Sequence, residues 1–233
     1  MHRRDFLLLT PALAVGACVS VGGAAGPPAP APTVRVGDRW VYNCADGFRV
    51  KVNWVETHEV ITIDSTGIAV RVTLAGPTMN YNRVELWQAP GVVVIGSIYD
   101  DAVNRNFRAP LIRYQFPLTP GGSWRQYVQY PDPENQLVSS VQRDVKVGGY
   151  ETVSTPGGTF NAITMRTLMS VDNNNPFNWP TQCDYVTWWA PEVGGKVKET
   201  KYATYRERGD DQAIEIRAQN TLIELTSFSR GAG

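Results

Sequence analysis

Ile68-Ala69-Val70-Arg71-Val72-Thr73-Leu74 alternates apolar and small-or-polar residues without a break. Successive side chains of an extended chain point to opposite faces, so this pattern predicts a β-strand with one buried face. The same period of two recurs outward in both directions. Phe48, Val50, Val52 and Trp54 alternate with Arg49, Lys51 and Asn53, and similar sets are Val141, Val145 and Val147, then Ile214, Ile216 and Ala218. Turn chemistry falls between the runs, at Asp64-Ser65-Thr66-Gly67, Ala89-Pro90-Gly91, Gly148-Gly149, Thr155-Pro156-Gly157-Gly158 and Gly209-Asp210-Asp211. No stretch sustains a helical period, although Asp101 to Arg108 could hold one helical turn. The fold expected is all-β: a single antiparallel domain, built as a curved meander sheet or a half-open β-barrel. Apolar parity slips by one near Glu56 to Val60 and near Leu222-Ile223, as a β-bulge in a curved sheet would make it do.

A faint internal echo suggests two similar halves. Gly37-Asp38-Arg39-Trp40-Val41-Tyr42 opens the domain, and Gly121-Gly122-Ser123-Trp124-Arg125-Gln126-Tyr127 opens its second part in the same manner. Each reads as a turn that plants a core tryptophan at the base of a meander.

The N-terminus carries an address. His2-Arg3-Arg4-Asp5 is a short basic region and Phe6 to Ala17 an apolar, small-residue core, shorter than the roughly 20 residues that span a bilayer. Residues 1–17 therefore read as a cleavable export signal. Val15-Gly16-Ala17-Cys18 resembles the bacterial lipobox, which implies diacylglyceryl modification of Cys18; the alternative is an ordinary signal cleaved near Gly22 to Ala25. Arg3-Arg4-Asp5-Phe6-Leu7 resembles the twin-arginine export motif, with general secretion as the competing route. Residues 18–33, rich in Gly, Ala and Pro, predict a semi-rigid tether that does not fold on its own. The folded domain is expected over 34–229, held to the membrane by the lipid. After Cys18, Val19-Ser20 lacks an inner-membrane retention aspartate, pointing to the periplasmic face of an outer membrane.

Removal of residues 1–17 takes Lys+Arg from 22 to 20 and Asp+Glu from 22 to 21, a mature charge of about −1. Such a balance gives no electrostatic case for nucleic acid. With Cys18 lipidated, Cys44 and Cys183 remain, and an oxidising compartment favours a disulfide between them, two buried thiols being the alternative. That bridge would close a loop of about 140 residues, contributing roughly 4–5 kcal/mol in the chain-entropy model.

Catalytic signals are thin. His58 is the mature chain's one histidine, too few for zinc and without a visible triad. Asp100-Asp101 and Asp210-Asp211 could supply a carboxylate pair for glycoside hydrolysis, but both sit beside turn residues where aspartate is favoured for backbone bonding. Asp172-Asn173-Asn174-Asn175 offers oxygen ligands without the pattern of an EF-hand. No cofactor or metal is expected. The unusual feature is aromatic: Phe177, Trp179, Tyr185, Trp188 and Trp189 fall close together. Trp179, Tyr185, Trp188 and Trp189 are the candidate ligand-binding residues. Adjacent positions on a strand face opposite ways, so one of Trp188 and Trp189 should enter the core and the other face solvent, a groove or a partner.

Val36-Gly37-Asp38-x-Trp40-x-Tyr42, Pro120-Gly121-Gly122-Ser123-Trp124, Gly158-Thr159-Phe160-Asn161-Ala162 and Trp188-Trp189-Ala190-Pro191-x-Val193-Gly194-x-x-Val197-Lys198 together resemble a broad set of exported bacterial lipoproteins of unknown function. The resemblance implies a β-sheet fold and an envelope location, and carries no activity. The function expected is a non-enzymatic, lipid-anchored envelope protein binding an apolar or envelope ligand on a curved sheet. The alternatives are a structural or assembly lipoprotein that binds another envelope protein, and a carboxylate-based polysaccharide hydrolase.

Overall fold

The computed structural model describes residues 23–47, 52–99, 102–133, 136–172, 174–208 and 215–232. Twelve strands form one antiparallel sheet, and no helix occurs among the described residues. They are β1 (Arg39–Asp46), β2 (Val52–Asp64), β3 (Gly67–Ala75), β4 (Asn80–Ala89), β5 (Val92–Gly96), β6 (Arg105–Ile112), β7 (Ser123–Pro131), β8 (Val138–Thr155), β9 (Gly158–Val171), β10 (Thr181–Ala190), β11 (Gly195–Arg206) and β12 (Glu215–Ser229). The order β6-β5-β4-β3-β2-β1-β12-β11-β10-β9-β8-β7 is two six-stranded meanders joined where β1 pairs with β12. The sequence echo marks the start of each: Gly37 (φ 87°) and Gly121 (φ 82°) take the left-handed turn that precedes β1 and β7. Both tryptophans then donate their indole N–H to a distant carbonyl, Trp40 to Val193 at 2.9 Å and Trp124 to Ile112 at 3.4 Å.

The sheet curls until its two edges, β6 and β7, lie side by side as the unsealed seam of a nearly closed barrel. Pro110, with no N–H to give, stands in β6 and interrupts any backbone ladder there. Side chains stitch the seam instead. The Gln126 amide donates to the Pro110 carbonyl at 2.7 Å and accepts from the Ile112 N–H at 2.9 Å, imitating the peptide group of a missing strand partner. Arg143 from β8 adds a bond to the Ile112 carbonyl at 2.6 Å. Gln126→Ala should therefore cost about 2 kcal/mol, near 1 kcal/mol per bond. The Ile112 amide should then exchange its hydrogen many-fold faster, and unchanged protection at Ile112 would contradict the stitching role.

Several expectations need correction. The 18–33 tether is not a free spacer from Gly23 onward. Ala24 exchanges backbone hydrogen bonds with Tyr150, both 2.9 Å, and Ala29 exchanges bonds with Leu118 at 2.9 and 2.8 Å. Tyr150 also donates its hydroxyl to the Pro27 carbonyl at 3.0 Å, and Ala29 is buried. A Gly/Ala tract cannot build a core, but its bare backbone can lie against another: a Cβ on Gly149 would stand 2.4 Å from the Gly23 carbonyl carbon. The segment is a strap across the barrel. Cys18 and the export motifs lie outside the described residues.

Gly148-Gly149 is no turn. It lies inside the 18-residue β8, where the register shifts between Val147 and Tyr150. Beyond that bend the β8–β9 hairpin reaches over to β12, with the Gly157 N–H 2.8 Å from the Leu225 carbonyl. The helical turn expected from Asp101 to Arg108 is replaced over Arg105–Ile112 by β6, while Asp101 lies outside the described residues. Phe48, Val50 and Ile214 also lie outside them.

The Cys44–Cys183 disulfide is not formed; the structure holds both as buried thiols. Three strand spacings separate β1 from β10, and Cys44 is in register with Glu199 through Ile223 whereas Cys183 is in register with Ala203. In a flat sheet that is roughly 14 Å across and 13 Å along, far beyond the Cα separation of about 4.4–6.8 Å that a disulfide spans. The two belong to different apolar clusters.

Candidate functional site

The inward face of the barrel is not uniformly apolar, and this is where chemistry collects. Along β2, Trp54, Glu56 and Val60 are buried and His58 nearly so, which is unbroken alternation with two polar residues on the core side. Of the parity slip expected near Glu56 to Val60, the first part is an inward carboxylate and imidazole, and the bulge in β2 lies at the end of that range, between Val60 and Thr62. β12 likewise buries Gln219, Thr221, Ile223 and Leu225 in alternation, with no bulge at Leu222. Arg83 and Glu85 on β4, Arg143 on β8, and Glu199 and Lys201 on β11 are all buried in the same way.

These groups form two ion networks. Glu85, fully buried, accepts from Arg113 at 2.7 and 3.1 Å and from the Trp87 indole at 2.9 Å, with Arg83 at 3.4 Å. Burial alone would raise its carboxyl pKa, yet Arg113 and Arg83 hold it below the ordinary range. In the second network Lys196 lies 2.9 Å from Glu199 and 3.5 Å from Glu56, with its ammonium over the Tyr42 ring at 5.2 Å. His58 Nε2 is 2.6 Å from Glu56 Oε1. Thr187 donates to Glu199 at 2.9 Å, and Lys201 stands 3.5 Å from the same carboxylate. Burial opposes ionisation of Glu199, but Lys196 and Lys201 overcome it and pull the carboxyl down to about 2. Glu56 is likewise held well below its usual value by Lys196 and His58 against the burial penalty.

Between the networks lies a cavity of about 140 Å³. Pro32 of the strap with Val34, Pro90-Gly91 of the β4–β5 turn, Gly194 of the β10–β11 turn and Gly195 at the start of β11 line it at one end. Toward the other end Phe107, Tyr130, Val141 and Val171 pack an apolar layer. The walls combine Trp87, Tyr114, Phe116 and Trp189 with Glu56, Arg83, Arg113, Arg143, Lys196 and Lys201. Arg83, Arg113, Arg143, Lys196 and Lys201 outnumber Glu56, Glu85 and Glu199 by two, so the interior is electropositive.

Two of the expected ligand-binding aromatics reach this cavity and two do not. Tyr185 lines it, donating its hydroxyl to Gln219 at 2.7 Å, and Trp189 lines it with the Phe116 ring 5.2 Å away. Trp188 lies on the alternate, partly exposed face of β10, where its indole donates to Glu151 at 3.0 Å. Trp179 is 55% exposed in the β9–β10 connection, with the Arg208 guanidinium 4.7 Å from its ring. Asp172 caps that loop by accepting from the Asn174 N–H at 3.1 Å. Among the described residues no group of three or more His, Cys, Asp or Glu could hold a metal. Asp100-Asp101 and Asp210-Asp211 lie outside the described residues. The charged residues of the wall were missed by a search for motifs. The signal that could have found them is a charge at an inward strand position, as at Glu56, Glu85, Arg143 and Glu199.

No family model matches the chain, and no curated protein sequence matches it. Two solved structures share its fold. A candidate exported protein with YmcC-like fold from Bacteroides fragilis aligns over 87% of this chain and 100% of its own, at 14% identity and a TM-score of 0.51. A candidate lipoprotein from Parabacteroides distasonis aligns over 88% of this chain and 100% of its own, at 13% identity and a TM-score of 0.55. At such identities the likeness is one of fold.

Proposed function

We propose that this chain is a lipid-anchored protein of the bacterial cell envelope, attached through Cys18 at the periplasmic face of the outer membrane, whose barrel interior binds a small ligand without transforming it. The cavity carries the reading: it is walled by aromatic rings and buried charges, the mixture that fixes and orients a small molecule. Its lining suits a polar ligand better than the apolar one expected from the sequence. A binding role is favoured over hydrolysis by the state of the interior carboxylates. Glycoside hydrolysis needs one carboxyl kept protonated, whereas Glu56, Glu85 and Glu199 are all held ionised by adjacent cations. The assembly reading would draw on Phe177 and Trp179, both well exposed beyond β9.

The test is mass spectrometry of the full-length protein extracted from its own membranes in mild detergent. The denatured mass should show an N-terminus at Cys18 carrying diacylglycerol. The native mass should show an additional small organic component that leaves on unfolding. An unmodified Cys18 would refute the anchor, and a native mass equal to the bare lipoprotein would refute the binding role.

A further inference from the structure

Two charged side chains of the cavity wall each leave one polar atom unsatisfied. Glu56 Oε2 and Arg143 Nε are both buried without a hydrogen-bond partner, and both residues line the same cavity. Arg143 is 7% exposed and Glu56 2% exposed, so bulk water does not serve them. A buried polar group left unmade is costly, and native proteins keep few of them. The two differ in kind. Glu56 Oε2 is an ionised oxygen that wants a donor. Arg143 Nε carries an N–H that wants an acceptor, on a guanidinium whose Nη1 donates to the Ile112 carbonyl at 2.6 Å. Burial, then the nearby Arg113 charge, draws the Arg143 pKa down to about 10, which leaves it cationic at neutral pH.

Their positions are complementary as well. β2 and β8 are six strands apart in the sheet order, and the β6–β7 seam completes the ring, so Glu56 and Arg143 reach the cavity from different walls. The rings of Tyr114, Phe116 and Trp189 line the same cavity. The volume, about 140 Å³, is close to that of an engineered cavity that admits benzene, about 150 Å³.

We propose that the barrel binds a ring-sized organic anion bearing a hydroxyl or ammonium donor at its far end, the anionic group on Arg143 and the donor on Glu56 Oε2. This deepens the ligand-binding reading above and rests on it. The excess of cations over carboxylates in the wall supplies the sign, and the aromatic rings supply the flat apolar middle.

The test is titration calorimetry of the full-length protein in detergent with three probes: 4-hydroxybenzoate, benzoate and phenol. The first has both groups, the second lacks the donor, and the third lacks the anion. 4-Hydroxybenzoate should bind at one site, benzoate about tenfold more weakly, and phenol about a hundredfold more weakly. Arg143→Met should abolish binding of both acids. Glu56→Gln, which keeps an acceptor but not the charge, should narrow the gap between 4-hydroxybenzoate and benzoate. Should Arg143→Met not fold, Arg143→Lys keeps the charge without the fork, and a tenfold loss is expected there. Phenol binding as tightly as the acids would overturn the inference. So would silence from all three probes; a retained native mass would then leave the chamber standing with the wrong ligand class, and a bare mass would remove both.

Discussion

Glu85→Ala is expected to lower the unfolding free energy by about 3–5 kcal/mol, with a fall in Tm on the order of 10 °C for a domain of this size. Glu85 is fully buried and accepts from Arg113, Arg83 and the Trp87 indole at once. Deleting its carboxylate leaves the Arg113 and Arg83 charges facing each other in an interior already short of negative charge. The cost is that of stranding cations, larger than the worth of the ion pair itself, because a buried pair also had to be desolvated. Glu85→Gln keeps acceptor capacity but not charge and should fall between wild type and alanine. Thermal unfolding followed by circular dichroism reads the series. A loss below about 1 kcal/mol for Glu85→Ala would mean that water already reaches the site.

Trp189→Ala should cost a similar amount, about 3–5 kcal/mol, as expected for removing a fully buried large ring. The indole does more than fill space. Its cluster includes Ala29 of the strap, Leu118 of the β6–β7 connection and Ile163 and Met165 of β9, with the Phe116 ring 5.2 Å away. Its loss should loosen the strap before the barrel. Hydrogen exchange at Ala29 and Leu118, which are paired through their backbones, should then accelerate more than exchange in β3. Trp189→Phe should restore most of the stability. Uniform acceleration across the sheet would show that Trp189 supports the whole barrel and has no special tie to the strap.

The sheet was legible because its evidence is local. Strands such as β3 bury every second residue, Ile68, Val70, Val72 and Leu74, so period two appears in the chain before any partner is known. The curl was legible through its turns and echo, although Gly148-Gly149 shows that glycines can bend a strand as well as end it. The site was hidden for a physical reason. A core charge is tolerable only when its counter-charges arrive from other strands. Glu85 meets Arg113 28 residues on, and Glu56 meets Lys196 from the other meander. Alone, Glu56 between Trp54 and His58 looks like a break in the pattern. The tether failed as an expectation because composition describes what a segment can bury by itself, and the strap from Gly23 borrows its core from Leu118 and Tyr150.

A high-resolution crystal structure of the full-length protein, purified from its own membranes without added ligands, would decide whether the barrel holds a bound molecule. The result expected is continuous non-water density inside the barrel, joining Arg143 Nε to Glu56 Oε2 past the Tyr114 and Trp189 rings. An interior in which those two atoms are satisfied by ordered water alone, or by a rearrangement that pairs them with protein groups, would contradict it.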